Sequence, residues 1–418
     1  MAIMITCLMI FAIALQAVMI LYSLYSAVLV PLAIKKHRPI PKSTPRHRFA
    51  ILVPARNEAS VIGPLLDSLD RQHYPRDLYD VFVVPNNCTD NTEAIARQAG
   101  AQILTGSQPI RTKGDVLNFA FVELSRQTHE YDAVCVIDAD NLVHPGYLSA
   151  MNDALTAGAR VAQGYKDIKN PHDSAVTGSN AILIWLLIRF FNHARSTIGL
   201  SAAISGSGFM IRTDVLRKLD MSRTFTITED LELSIKCYLE DEHIVWVPDA
   251  IIYDEQALSF GTSWNQRKRW SSGMYQVLSL YFPRVLHKAV RDKSLQGFDI
   301  VSLLLPAVMH VVSSLFIISS TALSILLVLD GQITGSAFFA VLSLSTLATY
   351  VFVTAVACLT AFLERKLTRH LIPGILFFWV FLMSWLPINI ICLIRPTTTW
   401  SEIRHSRSIR LQDLSADP

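Results

Sequence analysis

The sequence predicts an α/β domain inserted between transmembrane helices. Through the middle of the chain, apolar runs that end in polar turns alternate with helical patterns. The apolar excess gathers instead at residues 3–33 and from about 300 to 394. Of 418 residues, 51% are hydrophobic and only 17% charged, against about 25% charged in an ordinary soluble protein.

The first element is "MITCLMIFAIALQAVMILYSLYSAVLVPLAI". It is too long for a secretory leader and lacks a basic start and a small-residue cleavage site. About 20 apolar residues cross a bilayer, so 1–34 reads as a transmembrane helix. Lys35, Lys36 and Arg38 follow it. Positive residues stay inside, which puts the N-terminus outside and the domain at 46–270 in the cytosol.

That domain opens with "FAILVPARNEAS", a strand feeding a polar loop. "YDVFVVPNNCTD" and "YDAVCVIDADN" repeat the scheme. Strands alternating with helices predict a largely parallel sheet covered on both faces. Ligands of such sheets bind beyond the carboxyl ends of the strands, where the polar clusters lie.

Residues 179–199 are apolar but contain Arg189, His193 and Arg195, which suits an amphipathic helix on the membrane surface. Interface helices are expected over 271–299 and transmembrane segments over 300–394. Two prolines, Pro373 and Pro387, interrupt the last apolar segment. Three C-terminal spans would leave the basic tail (395–418) outside, although Arg395, Arg404, Arg407 and Arg410 call for the cytosol. Either the last segment is re-entrant or the charge rule fails; a cytosolic tail is the reading adopted. The tail ends at Pro418, so no appended regulatory domain is expected. The six cysteines have no metal spacing and read as reduced cytosolic thiols. A net charge of +3 makes no case for a nucleic-acid partner, and none is expected.

"VIDAD" places Asp138 and Asp140 at a strand exit, two apart and so pointing the same way. Adjacent carboxylates repel unless a cation is near. A divalent cation sharing a diphosphate would satisfy both; otherwise they are ordinary loop acids. "TED" puts Glu229 and Asp230 at a helix start, as partners of the helix dipole or as a general base. Lys113 opens another helix, either against a phosphate or in solvent. "GSG" (Gly206, Ser207, Gly208) either turns the chain or lets a ligand approach the backbone. In "QRKRW", Gln266, Arg269 and Trp270 share one helical face, while Arg267 and Lys268 point elsewhere and are free to snorkel to headgroups.

With "VPARNE", "NNCTD", "KGDVLN", "DAD", "GSG", "TED" and "QRKRW" in this order, the chain resembles the processive family 2 glycosyltransferases, synthases of cellulose, chitin, hyaluronan and poly-N-acetylglucosamine. The resemblance covers roughly 48–290. It implies a GT-A-type nucleotide-sugar-binding domain that polymerises a β-linked polysaccharide by inversion and secretes it across the plasma membrane. It further implies Mg2+ or Mn2+, a UDP-sugar donor, a growing polysaccharide acceptor and a lipid bilayer as partners. An accessory export subunit or an oligomer stays open. Pro54, Arg56 and Glu58 would hold uracil and ribose, with Lys113 near the nucleotide. Asp138 would hold UDP and Asp140 the metal. Asp230 would be the base, beside Glu229. Gln266, Arg269 and Trp270 would close over diphosphate and acceptor, and Gln163 with Gly206, Ser207 and Gly208 would border the acceptor. Asn86 stands where the family usually has an aspartate. The rival readings are a membrane transferase that adds one sugar to a lipid, and a transporter or receptor that only binds a nucleotide sugar.

Overall fold

A computed structural model describes residues 1–106, 112–126, 131–219, 224–397 and 408–414. Arg404 and Arg407 of the basic tail lie outside the described residues. The strands are β1 (Phe49–Ala55), β2 (Tyr79–Pro85), β3 (Gln102–Ile103), β4 (Ala133–Val136), β5 (Leu142–Val143), β6 (Val161–Ile168), β7 (Phe209–Arg212) and β8 (Ile244–Asp254). The helices begin with α1 (Ala2–Leu29), α2 (Ile62–Asp70), α3 (Thr92–Gln98), α4 (Lys113–Ser125) and α5 (Tyr147–Thr156). They continue with α6 (Ala175–Leu187), α7 (Ala194–Ser196), α8 (Thr213–Lys218), α9 (Glu229–Leu239), α10 (Phe260–Asp292) and α11 (Leu295–Leu303). Four apolar helices follow: α12 (Pro306–Leu329), α13 (Gly335–Leu363), α14 (Ile372–Met383) and α15 (Trp385–Ile394).

The strands form one eight-stranded sheet in the order β3-β2-β1-β4-β7-β6-β8-β5. β1 pairs in parallel with β2 and β4, as the repeated strand–helix scheme requires. The expected parallel pairing holds in that half and again between β6 and β8. β7 runs antiparallel to both β4 and β6, and β5 antiparallel to β8, so the sheet is mixed. In β1, Phe49, Ile51 and Val53 enter one core with α2 and α5 residues, and Ala50 and Leu52 enter the other with Val116 and Leu117 of α4. This is the period of two of a strand buried on both faces. The chain order reverses between β1 and β4, so the crevice at their carboxyl ends is where a ligand belongs.

Among the described residues, five helical stretches are long and apolar enough to cross a membrane: Ala2–Ile34, Ala175–Ser196, Pro306–Leu329, Gly335–Leu363 and Arg369–Ile394. The stretch expected on the membrane surface from its polar residues is thus also long enough to span, and those residues are used inside the protein. Arg189 pairs with Glu364 at 2.5 Å, and the buried Arg195 pairs with Asp299 at 2.7 Å. Asp299 also accepts from Tyr25 of α1, which fastens the first apolar helix to the rest. α6 crosses α14 glycine on glycine: a Cβ on Gly374 would lie 2.7 Å from the Gly178 Cα.

α10 is one helix of 33 residues, so the boundary expected at 270/271 falls inside it. Arg267, expected to snorkel, is instead fully buried. Its guanidinium donates to the Phe381 carbonyl at 2.9 Å and the Ser384 hydroxyl at 2.6 Å, and lies 4.0 Å over the Phe381 ring. Burial pulls its pKa down to about 10. The last apolar segment breaks at Ser384, between α14 and α15, and follows α10 along its length. Phe260 meets Phe377, Arg267 meets Phe381, Trp270 stacks on Trp385, and the Thr397 N–H donates to Ser272. Arg267→Ala should lower stability by about 3 kcal/mol, the scale of lost charged hydrogen bonds and a cation–π contact. Lys268→Ala should stay within ~0.5 kcal/mol. Thermal unfolding in detergent distinguishes these outcomes.

Candidate active site

The site grows from strand exits and helix starts. At the exit of β4, the Asp138 N–H donates to the Ser207 hydroxyl at 3.0 Å, and that hydroxyl donates to Asn141. Asn141 in turn donates to Asp254 at 3.0 Å and to Asp140 at 3.3 Å. Lys169 donates to the Asp140 carbonyl at 2.8 Å and pairs with Glu255 at 2.9 Å. The two aspartates are therefore held from the far side of the sheet, by the end of β8 and the loop before β7.

α4 begins with a capping box. The Asp115 N–H donates to the Thr112 hydroxyl, and the Thr112 N–H donates to the Asp115 carboxylate. Such a box fixes where a helix starts, and here it sets Lys113 in the first turn. Lys113 ion-pairs with Asp138, donates to the Gly206 carbonyl at 2.7 Å and lies 3.6 Å from Glu229. Burial opposes its charge, but Asp138 and Glu229 outweigh that and raise its pKa.

α9 presents Glu229 and Asp230 in its first turn. Thr228 precedes them without capping through its side chain. Burial lifts the Glu229 carboxyl from 4.5 to about 7, with Lys113 pulling down and Asp230 and Asp138 pushing up. Asp230 faces the 205–208 loop, where a Cβ on Gly206 would lie 3.5 Å from its Oδ2. Gly206 and Gly208 have φ of +81° and +70°, a region that favours glycine. At Gly208 a Cβ would also meet Ile252 at 2.8 Å. Arg269 completes the cluster: burial lowers its pKa, while Glu229, Asp230 and Asp138 support its charge.

The structure thus brings together Lys113, Asp138, Gly206, Glu229, Asp230 and Arg269. Three expectations change. Gln163, expected to border an acceptor, is fully buried. Its amide donates to the Gly164 and Ser207 carbonyls at 3.0 and 3.1 Å and accepts from the Ser205 N–H at 3.0 Å, so it positions the loop from beneath. Ser207 is fully buried too and serves the backbone of Asp138. The Trp270 ring, expected to close over an acceptor, is engaged by another aromatic ring. It stacks on Trp385 of α15 at 6.3 Å, and Trp385 stacks on His310 of α12 at 5.8 Å. Gln266 holds a buried side-chain oxygen that has no hydrogen-bond partner among the described residues.

Pro54, Arg56, Glu58 and Asn86 occupy the neighbouring exits of β1 and β2. Asn57, at φ +56°, accepts from the Thr89 N–H at 2.8 Å, and the Glu58 N–H donates to Thr92 at 2.8 Å. These bonds lace the two loops together. Asn86 is buried, and its side-chain oxygen is without a hydrogen-bond partner among the described residues. It lines a crevice of about 250 Å³ with Pro85, Cys88, Leu104 and Gly106. Sequence reasoning missed Lys169, Asp254 and Glu255; for the two acids the signal was the polar "DEQ" that begins at the last residue of β8.

Among the described residues, no group of three or more His, Cys, Asp and Glu could hold a metal. Asp138 and Asp140 offer hard oxygen donors, which suit a divalent cation that keeps few protein ligands and completes its shell with phosphate oxygens and water.

A sheet of this kind, with paired aspartates at one strand exit, buried acids at a helix start and a basic helix beside them, defines a GT-A-like transferase of activated sugars. Residues 45–273, more than half of the chain, match the model described as "Glycosyltransferase like family 2"; the chain belongs to that family and is a glycosyltransferase. It is 27% identical over 248 residues to a beta-monoglucosyldiacylglycerol synthase of Synechocystis sp., covering 56% of this chain and 49% of that one. It is 22% identical over 234 residues to a poly-beta-1,6-N-acetyl-D-glucosamine synthase of Staphylococcus epidermidis, covering 55% of each. The match thus spans about half the length of these curated relatives. Among solved structures, the mannosyltransferase PcManGT from Pyrobaculum calidifontis, in complex with GDP-Man and Mn2+, is similar in fold. It has a TM-score of 0.61 and 21% identity, over 89% of this chain and 98% of that one.

Proposed function

We propose that the chain is an inverting, processive glycosyltransferase that polymerises a β-linked polysaccharide from a UDP-sugar at the cytosolic face of the plasma membrane. One observation carries the processive reading. The aromatic stack that starts at Trp270, beside the catalytic cluster, continues through Trp385 into the apolar helices and ends at His310. Aromatic plates suit sugar rings, and these lead from the site toward the membrane.

In this reading the crevice at Asn86 takes the base, and the unpartnered side-chain oxygen of Asn86 accepts from it. Asp138 and Asp140 would hold a divalent cation, which supplies charge neutralisation at the diphosphate. Asp230 takes the proton of the acceptor hydroxyl as that oxygen attacks the anomeric carbon from the face opposite UDP. Arg269 stabilises the charge that develops on the leaving diphosphate. Lys113 and Glu229 fix Asp138 in place. The contacts of α14 and α15 with α10 support a re-entrant last segment and a tail on the catalytic side.

The test is the anomeric configuration of the product. Membranes holding the protein are given labelled UDP-sugars, singly and in pairs, with Mg2+ or Mn2+. Product cleaved only by β-specific glycosidases is expected; α-linked product contradicts single displacement. Asp140→Asn should abolish the metal-dependent part of UDP affinity, read by calorimetry with and without Mn2+.

Glu229 sets a pH dependence. Its folded-state pKa, about 7, lies above the ordinary 4.5, so its contribution to stability is complete below that ordinary value and is lost as pH rises through about 7. Ionisation adds a negative charge beside the diphosphate site. Metal-free UDP binding should therefore weaken across this range, and Glu229→Gln should flatten the profile. An identical slope in the variant removes Glu229 as its source.

A second reading is supported by the relative of higher identity, a synthase of a glucosylated lipid: transfer of one sugar to a lipid acceptor at the same site. Product size separates the two.

A further inference from the structure

We propose that the junction of α1, α13 and the helix continuing from α6 is a binding site for the phosphate of an anionic membrane lipid. A cavity of about 550 Å³ opens there, lined by the turn after α1, by Arg189 and His193, and by the end of α13. Among the described residues, its permanent charges are Lys35, Lys36, Arg189 and Arg365 against the single carboxylate of Glu364. That carboxylate is already engaged, by Arg189 at 2.5 Å and by the Tyr165 hydroxyl at 2.6 Å. The three remaining cations line the cavity, and among the described residues its wall holds no further carboxylate.

The wall is built rather than incidental. Arg189 donates to the Leu363 carbonyl at 2.7 Å and to the Ala33 carbonyl at 3.3 Å, so one side chain ties the ends of both apolar helices. His193 bonds the Lys35 carbonyl at 2.7 Å. α13 closes with the Lys366 N–H donating to the Ala361 carbonyl at 2.8 Å, which leaves Arg365 at φ +59°. Glycine is the residue that helix closure favours at this position. An arginine held in a left-handed conformation at the mouth of a cationic cavity points to a use for its charge.

The location selects the source of the phosphate. The cavity lies where two apolar helices end, the level at which anionic headgroups sit. Ile34 lines it and Phe362 directly precedes the lining residue Leu363; the two are 66% and 65% exposed, apolar surface on which acyl chains can lie. A soluble phosphate would use the cations but not this surface.

The test measures binding of fluorescent phosphatidylglycerol to the full chain in detergent. Lys35→Ala with Lys36→Ala and, separately, Arg365→Gly should weaken it about fivefold per cation removed. Arg365→Gly should keep or raise the thermal unfolding temperature, since glycine suits the left-handed position, so weaker binding by this variant is not misfolding. Unlabelled phosphatidylglycerol should compete, and an equal concentration of inorganic phosphate should not. Unchanged affinity in both variants overturns the site. Equal competition by inorganic phosphate overturns the lipid as its ligand.

Discussion

Asp230→Asn is expected to lower the rate of sugar transfer by about 10²–10⁴-fold, the range supplied by a positioned general base, and to leave UDP affinity intact. The carboxylate sits in the first turn of α9 and faces the Gly206 edge of the loop that borders Asp138. Asparagine keeps the shape and a helix-start hydrogen-bonding group but cannot accept a proton. A role confined to the helix dipole is worth no more than about 2 kcal/mol at a partly buried position, roughly thirtyfold in rate at most. The size of the loss therefore separates base from dipole partner. Turnover equal to wild type would remove Asp230 from the chemistry. Glu229→Gln is the control, because Glu229 is engaged by Lys113 at 3.6 Å and is assigned the placing of Asp138.

Arg269→Ala should cost about 10²–10³-fold in kcat, the scale for removing one preorganised group that stabilises developing charge. Its guanidinium is largely buried, and its charge is supported by Glu229, Asp230 and Asp138. Those carboxylates already offset it in the resting site, so its net pull on a bound donor is modest. It strengthens as negative charge moves onto the leaving diphosphate. The loss should therefore appear in kcat more than in KM. Arg269→Lys should recover little, since an ammonium cannot offer the planar fork that matches phosphate oxygens. A loss confined to KM would place Arg269 in ground-state binding.

The parts legible in the sequence are those written in local pattern. The strands β1, β2 and β4 are continuous apolar runs with a polar turn at each exit, and they stand in parallel order in the sheet. The D-x-D pair, the acids of α9 and the helix that carries Arg269 lie in the elements their patterns announced. What was illegible rests on long-range partners. β7 has four residues, too few to reveal that it runs antiparallel between β4 and β6. Arg267 has the sequence context of a snorkelling cation, and its partner Phe381 lies 114 residues away. Gln163 and Ser207 read as residues lining a site, but their bonds to the loop backbone exist only once β6 and β7 are paired. The last apolar segment reads as a span by composition; its course along α10 depends on the docking of Arg267 at the Ser384 break.

The most direct test of the proposed function is the size of the product. Membranes containing the protein are supplied with a labelled UDP-sugar and Mn2+, and the label is resolved by mass after solvent extraction. A processive synthase predicts high-mass, aqueous-phase label that Asp230→Asn eliminates. Label found solely in a short, solvent-extractable lipid would contradict processive synthesis and establish the single-sugar lipid transferase in its place.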